Sequence, residues 1–149
     1  MTGNRRASLS TTRKVQKKEA MGNIDRLKYL RIALILVGVI FLAGIYPLMI
    51  IWPSGWTWHT GHSDYPLMIV GFYATLGVFL IRAARDPLDH LSLIWFTVWS
   101  SIVHAAIMIV QSFEAPANHG HLLGDVPALL VVAILLAVLT PFGLEAEIR

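Results

Sequence analysis

The chain has 149 residues, of which 56% are hydrophobic and only 14% charged, with a formal net charge of +3. Soluble domains carry about a quarter charged residues, so this balance excludes an ordinary water-soluble protein and points to a membrane one. The absence of cysteine excludes disulfide frameworks, thiolate metal sites and thiol catalysis.

The chain opens with "MTGNRRASLSTTRKVQKKEA", a polar, basic stretch without apolar periodicity. Such a segment cannot bury enough surface to repay its ordering entropy, so residues 1–22 are expected to form a disordered cytoplasmic tail and residues 23–149 a transmembrane domain. "RRASLS" has the look of a basic-directed phosphorylation site and a faint twin-arginine signal, but the apolar run begins too far downstream for a signal peptide. Met21 is an alternative start of translation.

Four apolar runs follow, at about 32–52, 65–81, 91–113 and 126–144. Each is long enough to cross a bilayer core of about 30 Å as a helix. Helices are required because the chain is too short to close a barrel and unpaired backbone groups are costly in lipid. Short connections make neighbours antiparallel, which predicts an all-α, four-transmembrane-helix antiparallel bundle.

Orientation comes from the basic residues. Nine, from Arg5 to Arg31, precede the first run, Arg82 and Arg85 lie between the second and third, and Arg149 ends the chain. All twelve fall on one side, which predicts a multi-pass protein of the cytoplasmic membrane with both termini cytoplasmic. Trp52, Trp56, Trp58, Tyr65 and Phe113 then form an outer aromatic belt, with Tyr29 and Trp95 nearer the inner interface.

Two outer loops share an order of residues: "HTGHSDYPLM" and "HGHLLGDVPALL". The order is His, Gly-His, Asp, any residue, Pro, then an apolar run, as in a faint parallel repeat of two hairpins. Were the loops to face each other, His59, His62, His119 and His121 would form an outer ligand cluster for a divalent metal ion. The competing reading is that Asp before an early-turn Pro starts a helix, with Asp64 and Asp125 as caps. The inner loop "RAARDPLDHLSL" repeats that logic, with Asp86 as cap, Pro87 at the first helical position and Asp89 favoured by the helix dipole. Its His90 needs only an interfacial role.

His104 is the single ionisable residue deep inside a run. Helical spacing places Thr97, Ser100 or Ser101, His104, Met108 and Gln111 on one stripe facing the bundle interior, with Ile102, Ala106 and Ile109 turned to lipid. His104 is a candidate proton relay, cofactor ligand or packing hydrogen bond. A haem with two axial histidines would need a second intramembrane histidine, and the spans offer none. Gly38, Gly44, Gly71, Ala74 and Gly77, with Ala105 and Ala106, mark places where helices approach closely. No phosphate-binding loop and no H-E-x-x-H occurs, so common enzyme signatures are absent.

The stretch from Gly71 to Phe113, with its "YATLG", "RDP" and "WSSIVHAA" followed by Gln111, resembles a family of small uncharacterised bacterial four-helix integral membrane proteins, a domain of unknown function. The resemblance covers roughly Gly44 to Leu139 and implies a compact four-helix membrane protein without implying an activity. The sequence therefore favours a non-enzymatic accessory or interaction component. Two alternatives stand beside it: a metal-binding or proton-relaying protein with the outer histidines as ligands, and a haem-binding or quinone-associated redox subunit. The expected partners are the bilayer, anionic lipids at the inner leaflet and a homo-oligomer or larger membrane complex, not nucleic acid.

Overall fold

The computed structural model describes residues 22–57 and 65–141. Every element among them is helical, and four helices are long and apolar enough to cross a membrane: Gly22–Ile51, Tyr65–Ala83, Pro87–Glu114 and Pro116–Leu139. His59, His62 and Asp64, the basic tail before Gly22 and the residues after Pro141 lie outside the described residues.

Helix α1 (Gly22–Ile51) takes in ten residues before the apolar run expected from 32, a stretch whose charged residues Asp25, Arg26, Lys28 and Arg31 are exposed. A single π-turn, Ile40–Gly44, interrupts it. Pro47 supplies the cause, since it lacks the N–H that would bond four residues back and its ring crowds that carbonyl. A π-turn just before a proline absorbs that mismatch, and membrane helices tolerate it. At the end of α1 Trp52 adopts φ −134°, ψ 69°, as the residue before Pro53 must leave the helical region. Pro53 then opens the four-residue helix α2 (Pro53–Trp56).

Helix α3 (Tyr65–Ala83) is followed by a 3-10 turn, Pro87–His90, which runs directly into α4 (Leu91–Glu114). Asp86 occupies the position before the 3-10 turn, yet its carboxylate makes no capping hydrogen bond there, contrary to the capping role expected of it. A second 3-10 segment, Pro116–Leu122, leads to α5 (Asp125–Leu139). With 15 residues α5 reaches only about 22 Å, so the 3-10 segment is needed to complete a crossing of about 30 Å. Gly124, not Asp125, stands at the cap position of α5, and Asp125 is the first helical residue.

The helices pack as two close pairs. Helix α4 lies along α5 through Thr97, Ser101, Ala105, Met108 and Ser112, a stripe of buried, mostly small residues. Helix α1 meets α3 where a Cβ on Gly38 would stand 2.8 Å from the Gly77 carbonyl oxygen and one on Gly77 would stand 2.8 Å from the Leu42 nitrogen. These two glycines fulfil the close-approach expectation. Gly44 and Gly71 do not, since Gly44 neighbours only Ile40 of its own helix and Gly71 faces open space.

Between the pairs the packing is uneven along the bundle. At the end marked by Arg26, Arg82 and Arg85, the side chains of Leu30, Leu34, Leu80, Ile94 and Leu136 have no exposed surface and join one core. Arg26 also donates from Nη2 to the Val138 carbonyl at 2.6 Å, tying the start of α1 to the end of α5. Toward the opposite end, α3 and α4 touch only sparsely. The space between the pairs is open there.

Candidate ligand cavity

That space is a cavity of about 1070 Å³. Its wall is drawn from α1, α2, α3, α4, the second 3-10 segment and α5. Most of the wall is aliphatic, from residues such as Ile40, Val70, Ile107 and Val132. Polar groups enter it at few points: Tyr73, Ser100, His104, Gln111, Glu114, Asn118 and Asp125.

Tyr73 and His104 form the central polar contact. Tyr73 Oη and His104 Nδ1 lie 2.8 Å apart, joining α3 to α4. The phenol ring is held edge-on by Phe41 of α1, with centroids 4.8 Å apart. His104 thus turns into the bundle and meets a polar group on another helix, as its position in the third span predicted. When the phenol donates to Nδ1, the neutral imidazole carries its remaining proton on Nε2. A buried imidazole without such a partner would be costly.

The stripe expected along α4 divides in two. Ser100, His104 and Gln111 line the cavity, whereas Thr97 and Ser101 are buried outside its wall, and Thr97 Oγ1 donates to the Leu93 carbonyl of its own helix at 2.9 Å. Spacings of three and four residues share a broad face, and the cavity takes only part of it. Met108, also buried, lines the cavity. Trp56, expected in an outer aromatic belt, lines the cavity instead, and Trp52 packs its ring over Gly55.

A second polar pair lies beside the first. His121 is 1% exposed and Asp125 6% exposed, and His121 Nδ1–H donates to Asp125 Oδ2 at 2.8 Å. Asp125 lies within Coulombic reach of both Tyr73 and His104. It lines the cavity, whereas His121 stands behind it, outside the wall. This is the outcome for two residues expected on an outer loop: Asp125 receives a histidine proton where a helix-capping role was expected. His119 is exposed and is not part of the cavity wall.

Glycine contacts bring this segment into place. Gly120 lies against the backbone of Ser54, and Gly124 against the backbone of Gly55. Any side chain at either position would collide with main-chain atoms. The flanks of the two loops that share the His and Asp order therefore do meet, through α2 and the second 3-10 segment. A metal cluster does not follow from this contact. Among the described residues no three His, Asp or Glu side chains converge, so the expected His59, His62, His119 and His121 site has no support from His119 and His121.

Residues 25–145 match the model of DUF6632, a family of unknown function. The chain belongs to this family. Its match takes in the first apolar helix from Asp25 on, the other three whole, and every described residue of the cavity wall. Neither the curated proteins nor the solved structures contain a match.

Sequence reasoning missed Tyr73 as the partner of His104. A signal was present: Tyr73 is the one polar side chain in the middle of its run other than Thr75, and Thr75 bonds its own helix at the Gly71 carbonyl.

Proposed function

We propose that this DUF6632 member is a membrane-embedded binding protein that takes a lipid-soluble small molecule between its two helix pairs. The observation that carries the reading is the cavity of about 1070 Å³, apolar over most of its wall and provided with a few converging polar groups. Ligand pockets commonly have volumes of about 300–1,000 Å³ and this composition. Broken or short membrane helices, such as the crossing assembled from the second 3-10 segment and α5, are also where membrane proteins place binding sites.

In this reading the four helices form an antiparallel bundle in a cytoplasmic membrane. Both termini are cytoplasmic, and the basic tail lies against anionic lipid. The protein acts as a binding or accessory component. His104 and Tyr73 orient the ligand by hydrogen bonding from the middle of the wall.

The test is purification of the full chain in mild detergent, followed by mass measurement of the intact complex and of its organic extract. A small molecule bound in constant ratio is expected. Ala128→Phe and Val132→Phe, which push rings from α5 into the cavity, should release it while leaving the melting profile in place. Retention of the same molecule by both folded variants would remove the cavity from consideration.

A further inference from the structure

We infer that the cavity selects hydrophobic organic cations, molecules with a delocalised positive charge on an aromatic or alkyl body. The inference rests on the proposed ligand-binding role and adds the charge of the ligand to it. Among the described residues two carboxylates, Asp125 and Glu114, belong to the wall, and no lysine or arginine does. The described basic residues Arg26, Lys28, Arg31, Arg82 and Arg85 are all exposed and outside it.

Among the described residues the wall holds one imidazole, that of His104. Where Tyr73 Oη donates to His104 Nδ1, 2.8 Å away, the ring is neutral and adds no positive charge to the wall. Asp125 is 6% exposed and its Oδ2 accepts from His121 Nδ1, which lies behind the wall, so its carboxylate acts on the cavity from beneath the surface.

Aromatic rings complete the recognition. Phe41, Trp56, Tyr65 and Tyr73 contribute to the same wall, and ring faces attract cations. An anionic headgroup would meet two acids and no lysine or arginine among the described residues of the wall, its hydrogen-bond donors being side chains such as Ser100, Gln111 and Asn118. A small hydrated metal ion would lose its water to a mostly aliphatic wall that holds no cluster of three ligating side chains among the described residues. A hydrophobic cation loses little hydration on entry and gains Coulombic attraction in a medium of low dielectric.

The experiment uses the full chain in detergent and three probes: tetraphenylphosphonium, its anionic counterpart tetraphenylborate, and neutral triphenylphosphine oxide. Saturable binding of the phosphonium is expected, with a preference over the borate of at least about tenfold. Ala128→Phe should abolish it, which separates cavity binding from partition into the micelle. Asp125→Asn, which can still accept the His121 proton, should weaken phosphonium binding by about tenfold or more without weakening the neutral probe. Glu114→Gln, at an exposed position, gives a second reading that does not depend on the buried pair, with a smaller loss expected.

Equal or tighter binding of borate or of the neutral probe, lost in Ala128→Phe, would overturn cation selection and leave the cavity reading standing. Unchanged phosphonium affinity in both folded charge variants would also overturn it. Absence of saturable binding by all three probes would overturn both readings.

Discussion

Tyr73 on α3 and His104 on α4 are joined by a 2.8 Å hydrogen bond across two helices that otherwise touch only sparsely. The bond crosses the opening between the close helix pairs, so it contributes to their spacing as well as to the polarity of the cavity. A hydrogen bond between membrane helices contributes about 0.6 kcal/mol on average and up to about 1.7 kcal/mol, because the separated helices find other partners. A double-mutant cycle with Tyr73→Phe and His104→Leu should return a coupling in that range, read from unfolding in detergent. Strict additivity of the two substitutions would show that the contact carries no energy.

The glycine crossing makes a prediction of different character. A Cβ on Gly77 would meet the Gly38 carbonyl and the Leu42 nitrogen, both main-chain atoms that cannot rotate aside. One on Gly38 would meet Ile81 Cγ1 at 2.7 Å, a side-chain atom, but also the Gly77 carbonyl oxygen at 2.8 Å. Gly77→Ala and Gly38→Ala should each lower stability by about 1–3 kcal/mol through forced separation of α1 and α3. Gly71→Ala, with open space around it, should be neutral or slightly stabilising. Thermal melts of the three variants check this, and equal effects at all three positions would dismiss the crossing.

The architecture was legible in the sequence because hydrophobic length alone decides it. The second and third helices end within two residues of the bounds expected at 81 and 113. The fourth ends earlier than 144, at Leu139, where Thr140 turns away from helical geometry ahead of Pro141. His104 was legible for the same reason, since an imidazole in hydrocarbon must turn inward to a partner. The His121–Asp125 pair was not, because a polar loop and a folded-back 3-10 segment have the same composition. What distinguishes them is the contact of Gly120 and Gly124 with Ser54 and Gly55, residues far away in sequence. Nor could periodicity separate the cavity face of α4 from the face packed on α5, which lie side by side on one helix. The cavity is likewise a property of how helix pairs meet, and no single helix announces it.

His121 and Asp125 form a buried pair, Nδ1 to Oδ2 at 2.8 Å. His121→Leu should cost about 3–5 kcal/mol by leaving a carboxylate buried without its histidine donor. The double variant His121→Leu, Asp125→Leu should cost less than His121→Leu alone, since an apolar pair of similar volume has no charge to strand. Unfolding curves of both variants in detergent decide this. A double variant less stable than the single one would mean that Asp125 holds the segment through other contacts.

Both ends of the proposed topology can be tested on one background, since the chain contains no cysteine and any introduced thiol is the sole one. Arg85, between the second and third spans, and Ala117, at the very start of the fourth, are both exposed and lie beside either end of α4. The one-sided placement of basic residues puts Arg85 in the cytoplasm and Ala117 outside. A membrane-impermeant maleimide added to intact cells should therefore label Ala117→Cys and spare Arg85→Cys until the membrane is opened. Arg85→Cys removes one of twelve basic residues, a small change against the nine that precede the first span, so the variant should not invert the bundle. Labelling of Arg85→Cys alone in intact cells would reverse the orientation. Labelling of both would deny that α4 crosses the membrane, and with it the placement of the cavity between helices embedded in lipid.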